Sequence, residues 1–308
     1  MDSDSLPVII QGGMGIGVSS WPLARAVAQQ GQLGVVSGTA LDNLLIRRLQ
    51  DGDIGSHIRR AMEAFPSPAV AAETLQRYFK SEGRAAGEPY ALLPMYRQVV
   101  DSFKDQLTIL ANFVEVWLAK EGHDGPVGIN FLSKVQMPTL PSLYGAMLAG
   151  VDYVLMGAGI PRDIPGALDA LSKNEASSLR FDVQGGNEET EERLHFDPKQ
   201  FFEGMLPELK RPRFLPIISS NSLATMLARK ANGRVDGFVV EGPTAGGHNA
   251  PPRGEMHLNE RGEPVYGERD RVDLSKLARL GLPFWVAGGA GRPGTISEAR
   301  EKGGVGIQ

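Results

Sequence analysis

PFWVAGGAGRPGTISEAREKGG, residues 283–304, holds the choice between two α/β architectures. An apolar run of five residues leads into a glycine-rich turn, and a helical pattern follows. Gly289, Gly291 and Gly294 fit G-x-G-x-x-G, the spacing of a dinucleotide-binding turn in an open, doubly wound sheet. That fingerprint should open its unit and be followed about 20 positions later by an acidic residue on a second strand. Here the chain reaches Gln308 first. The turn is therefore read as a late strand-to-helix connection that can hold a phosphate. Glycines admit close backbone approach, and the following helix N-terminus offers free N–H groups.

Seven further short apolar runs lie at residues 7–10, 33–36, 127–132, 152–156, 214–218, 237–240 and 305–307. Most end in small residues: QGGMG after the first, Ser37-Gly38 after the second, GAG after the fourth, SSNS after the fifth and EGPTAGGH after the sixth. A helical pattern fills every interval. Alternation of this kind predicts parallel strands with crossover helices. Eight units in 308 residues favour an α/β fold of the closed (β/α)8 TIM-barrel type over the open sheet. In a barrel the C-terminal strand ends share one rim, so many of the 38 glycines would surround one site.

The interval 43–124 is too long for a simple connection and is expected to be a helical insertion between the second and third strands. Within it, apolar residues at 96, 99, 100, 103, 107, 110, 113, 114 and 117 predict a long amphipathic helix across 91–119. This insertion would pack against or over the rim. LRFDV (179–183) and RLHFD (193–197) flank a turn and suggest a β-hairpin; MHLNERGEPVYG (256–267) suggests another. The expected organisation is one barrel over 1–308. Its last unit looks truncated, which implies a longer protein.

Composition narrows the function classes. The chain is 42% hydrophobic and 22% charged, with a net charge of −4 and no basic block, so neither nucleic acid nor an anionic membrane is an expected partner. No apolar run approaches the roughly 18 residues that span a bilayer. The start, MDSDSLP, is no signal peptide, and a cytoplasmic location is expected. Without cysteine there is no thiolate nucleophile and no metal–cysteine site. Of the five histidines, His57, His123, His195 and His257 lie in polar helix, loop or hairpin context and show no ligand spacing, so no metal is expected. His248 alone follows a strand end through two glycines, where a group titrating near neutral pH would face a bound molecule. There is no G-x-S-x-G elbow and no Walker lysine.

PVIIQGGMG, GIN, GAG, EGPTAGGH and WVAGGAG, in that order, resemble the nitronate monooxygenase family (formerly 2-nitropropane dioxygenases), whose relatives include the flavin-dependent enoyl-acyl-carrier-protein reductases. The resemblance implies an FMN-binding TIM barrel in which Gln11, Gly12, Gly13 and Met14 lie along the isoalloxazine. It further implies that Asn130 bonds near the ring, with Gly157 and Ser219 at neighbouring strand ends. Gly246 and Gly247 would approach the cofactor, Gly288, Gly289 and Ala290 would hold its phosphate, and His248 would be the catalytic residue facing substrate. The implied activity is oxidation of alkyl nitronates with O2. The alternatives are an NAD(P)H-dependent enoyl or quinone reductase, or a non-catalytic flavin-binding barrel. A homodimer is compatible with either enzyme. Three stretches depart from the family pattern: Thr244 stands where relatives commonly carry an acid, NAPPRG follows His248, and the 43–124 insertion is long.

Overall fold

A computed structural model describes residues 6–97, 101–183, 185, 191–202, 206 and 208–308. Seven parallel strands form one sheet. They are β1 (Gly34–Ser37), β2 (Val127–Leu132), β3 (Tyr153–Gly157), β6 (Arg213–Ile218), β7 (Phe238–Glu241), β8 (Phe284–Ala287) and β9 (Gly306–Ile307), in the order β1-β2-β3-β6-β7-β8-β9. A separate antiparallel pair, β4 (Ser177–Arg180) and β5 (Arg193–Phe196), matches the first expected hairpin, with Leu179 opposite Leu194. The second hairpin is smaller: Leu258 bridges Pro264, and the Val265 N–H donates to the His257 carbonyl at 2.9 Å.

The first apolar run is paired on both sides. Ile9 bridges Ile307 of β9 and Ile10 bridges Leu33 beside β1, both in parallel. The Ile10 N–H donates to Ile307 O and the Gln11 N–H to Leu33 O, each at 2.9 Å. Residues 8–10 thus join the two edges of the seven-stranded sheet. Gly306 makes the approach feasible, since a Cβ there would sit 1.7 Å from the Val8 carbonyl oxygen.

Strand alternation divides the apolar residues between two cores. Ile10, Val35, Tyr153, Leu155, Leu215, Val239 and Trp285 pack together inside the curled sheet. Their neighbours Val36, Ile129, Val154, Met156, Phe214, Phe238 and Phe284 pack outward against helices. Burial on both faces is why these strands read as continuous apolar runs rather than as alternating ones. Both polar groups of the inner large rings are satisfied: Trp285 Nε1–H donates to Pro7 O at 2.7 Å, and the Tyr153 hydroxyl oxygen accepts from Arg213 Nη1 at 3.1 Å.

Ten helices are described: α1 (Trp21–Ala28), α2 (Leu41–Gln50), α3 (His57–Glu63), α4 (Pro68–Tyr78), α5 (Ser102–Lys120), α6 (Thr139–Leu148), α7 (Ile164–Ser172), α8 (Asn221–Lys230), α9 (Leu274–Ala278) and α10 (Thr295–Glu301). None of the described helices is long and apolar enough to cross a membrane. The insertion contributes α2 to α5. Helix α5 packs between α1 and α6 and is itself covered by α2, α3 and α4. It begins at Ser102, about a turn and a half after Tyr96 and well inside the expected 91–119 span. Two local features shorten it. Pro94 cannot sit in a helix interior without losing a backbone bond, and Asp101 caps the helix by accepting from the Phe103 and Lys104 N–H groups at 3.1 and 3.2 Å. Residues 91–97 have no helical structure, and Tyr96 instead bonds Thr108 on α5 at 2.6 Å. Positions 99 and 100 of the expected spacing lie outside the described residues.

Candidate functional site

The alternation that fills the inner core also builds the floor of a cavity. Two residues beyond inward-facing Leu155, Leu215, Val239 and Trp285 come Gly157, Ile217, Glu241 and Ala287. With Asn130 of β2 they line the floor of a cavity of about 200 Å³. Its walls come from the strand-end turns, through Gly12, Met14, Ala245, Gly246, His248 and Gly288.

Three turns far apart in sequence interlock here. A Cβ on Gly247 would lie 2.2 Å from Met14 Cε, so the turn after β7 rests directly on the first turn. A Cβ on Gly288 would lie 2.8 Å from the Ala245 backbone nitrogen, so the turn after β8 rests on the turn after β7. Both glycines have positive φ, +95° and +96°, which other residues rarely adopt. Gly12 and Gly246 differ: nothing lies within 4 Å of where their Cβ atoms would be. Neither is required by the protein's own packing, and both leave flat backbone facing the cavity.

Two polar groups on the floor are unusual. Asn130 is 3% exposed; its Nδ2 points at the Met14 sulfur at 3.3 Å, and its Oδ1 has no partner. Its open end is therefore a hydrogen-bond acceptor. Glu241 is half-buried, and burial pushes its carboxyl up to about 7. The folded state therefore holds this proton at pH values where the unfolded chain, with an ordinary glutamate value near ~4.3, has released it. Its contribution to stability is present below the unfolded value and is lost as pH rises through about 7. Glu241→Gln should abolish that dependence. Urea midpoints of wild type and variant, measured at intervals from pH 4 to 8, should diverge toward high pH to the wild type's disadvantage. Parallel curves would show the carboxyl to be well solvated.

His248 is exposed at the side of the cavity. Its loop is tied down by Asn249, whose Nδ2 donates to Pro243 O at 3.1 Å and to Ala245 O at 3.0 Å.

Of the residues expected at this site, Gly12, Met14, Asn130, Gly157, Gly246, Gly288 and His248 line the cavity. Gly13, Gly247 and Gly289 do not line it. Gly13 is held by packing, since a Cβ would lie 2.4 Å from Val35 Cγ1. The Gln11 side chain is turned into the protein, where Oε1 accepts from Val35 N at 3.0 Å and Nε2 reaches Ser19 Oγ at 3.3 Å. Ser219 lines a neighbouring recess with Arg253 and Tyr266. Ala290 is buried against Ala299 and Ile307. The Ser19 hydroxyl ties the first turn down, lying 2.8 Å from Gly12 O and 2.7 Å from Met14 O. Glu241 escaped the sequence reading, although counting in twos from Val239 reaches it.

No family model and no curated protein matches this chain. Among solved structures it is similar to FabK from Thermotoga maritima, at 17% identity and a TM-score of 0.48, over 98% of this chain and 57% of that one. A methionine-to-alanine mutant of the same protein gives 16% identity and a TM-score of 0.47, over 98% and 60%. The chain thus spans less than two thirds of the length of either.

Proposed function

We propose that this chain is the (β/α)8 barrel of an FMN-dependent oxidoreductase that oxidises alkyl nitronates with O2. The observation that carries the reading is the meeting of the turns at 11–15, 242–248 and 288–290 around one cavity whose walls include two glycines that nothing in the protein requires. Open Cβ positions at Gly12 and Gly246 suit a planar ring, and the unpartnered Asn130 Oδ1 suits a ring N–H. Gly157 and Ala287 keep the floor low. When bound, a flavin would supply the redox chemistry that couples oxidation of the substrate to reduction of oxygen.

The residues of the chain do the rest. His248, at the cavity side, holds the nitro oxygens of a bound nitronate by hydrogen bonding, or removes the α-proton when the neutral nitroalkane binds. Glu241, whose proton is retained up to about pH 7, donates a hydrogen bond from the floor without adding a second negative charge beside an anionic substrate. The apolar inner layer below excludes water from beneath the ring.

The test is a visible spectrum of the purified protein after loading with FMN, followed by two assays. Flavin absorbance together with oxygen uptake on adding propyl-2-nitronate, without NADH, is expected. Anaerobic bleaching by NADH with no nitronate-dependent uptake would transfer the chain to the NAD(P)H-dependent enoyl or quinone reductases. Bound flavin with neither response would make it a non-catalytic flavin-binding barrel.

A further inference from the structure

A second cavity, of about 400 Å³, lies between the inserted segment and the end of β2. This is within the ~300–1,000 Å³ range of small-molecule sites. It meets the first cavity only at Leu132, which lines both. Most of its lining is apolar, with Leu41, Leu93, Met95, Phe131, Val135 and Met137 among the side chains. Met95 is 87% exposed and Val135 40%, giving an apolar mouth open to solvent.

Its inner end is polar and largely self-satisfied. Lys104 and Asp42 face each other there at 2.6 Å, their side chains 5% and 8% exposed, so the cavity carries a neutralised pair and no net charge. The Tyr96 hydroxyl is engaged with Thr108 Oγ1, which also bonds the Lys104 carbonyl. One group is left over. Asn112 is 1% exposed and lines the cavity; its Nδ2 donates to Thr108 O at 2.9 Å, while its Oδ1 has no partner. A buried acceptor left open in an apolar cavity with an open mouth calls for a donor from outside.

We propose that this cavity is a second ligand site, taking a neutral molecule with an apolar body and one hydroxyl or amide N–H, whose hydrogen is donated to Asn112 Oδ1. A carboxylate is disfavoured because the only cation present is already paired with Asp42, so a second anion would be buried without a partner. The site shares only Leu132 with the first cavity and includes no residue of the three turns. It is built by α5 and by the inserted residues 93–96, together with the rim loops after β1 and β2.

The experiment is calorimetric titration of the full chain, without flavin, with 1-octanol, its near-isostere 1-methoxyheptane, and octanoate. The alcohol donates a hydrogen bond and the ether cannot. The alcohol should bind about tenfold more tightly than the ether, because the ether covers Asn112 Oδ1 without pairing it, and octanoate should bind more weakly than the alcohol. Val135→Trp, which fills the mouth, should weaken alcohol and ether alike by tenfold or more. Asn112→Ala should bring the alcohol down to the ether's affinity. Equal binding of alcohol and ether, no binding of either, or indifference to Val135→Trp would overturn the proposal; the first two would leave ordered water as the occupant of the Asn112 end. The wild-type comparison needs no variant to fold. Because no flavin enters the titration, its result is independent of whether the first cavity holds one.

Discussion

His248→Ala is expected to lower nitronate turnover by about 100-fold or more while the protein keeps its flavin spectrum. A positioned acid, base or donor contributes on the order of 10²- to 10⁴-fold, and His248 is the sole imidazole on the cavity wall. The loss should be confined to chemistry. The side chain is exposed and forms no part of either core, so the thermal midpoint should hardly move. His248→Asn, which keeps a donor but cannot take a proton, separates the two roles. If it retains activity toward the preformed nitronate and loses activity toward the neutral nitroalkane, the histidine acts as a base. Wild-type turnover in the alanine variant would remove His248 from the mechanism.

Gly246→Leu is expected to abolish flavin binding without unfolding the protein. A Cβ at this position meets nothing within 4 Å, and its φ is not in the left-handed range, so the folded chain accepts a side chain there. A planar ligand lying against the turn does not. An increase in Kd of at least ~100-fold, equivalent to about 2.7 kcal/mol, should accompany an unchanged melting temperature. Gly13→Ala is the control with the opposite pattern. Its Cβ would collide with Val35 Cγ1 at 2.4 Å and with Asn130 Cβ at 2.9 Å, so stability should fall whether or not a ligand is present. Undiminished flavin affinity in Gly246→Leu would mean that the open face at this turn is simply solvent.

The contrast between these two glycines marks where sequence reasoning stops. Both stand in a strand-end turn and both look available to a ligand. Gly13 is small because β1 and Asn130 crowd it, Gly246 because nothing does, and only coordinates separate a glycine demanded by the fold from one that leaves room. The strands were legible for a simple reason. Runs such as DYVLM and GFVV are apolar on both faces, and parallel strands buried on both sides are the arrangement that requires this. The rim was legible through the same strands, since most of them end in small residues. Glu241 was missed because it was read as the first residue of a turn, when it is the last inward position of β7. Helix α5 starts later than the periodicity alone predicts: Tyr96 has helical spacing from Phe103, but Pro94 and the capping Asp101, both visible in the sequence, set the start at Ser102. The resemblance implies Ser219 and Ala290 as site residues at strand ends, but a strand end fixes the rim and not the direction a side chain takes from it.

The joining of the sheet's two edges by residues 8–10 has a kinetic consequence. Trp285 Nε1–H and Pro7 O are 278 positions apart, and Ile9 waits for Ile307. A chain emerging from the ribosome therefore carries its first apolar run with one side unpaired until Ile307 has been made. Contacts of such long sequence separation slow folding, and unpaired strand edges invite intermolecular pairing meanwhile. Refolding yield should therefore drop as protein concentration rises, and it should improve when a chaperone shields residues 7–10 during the interval before β9 arrives.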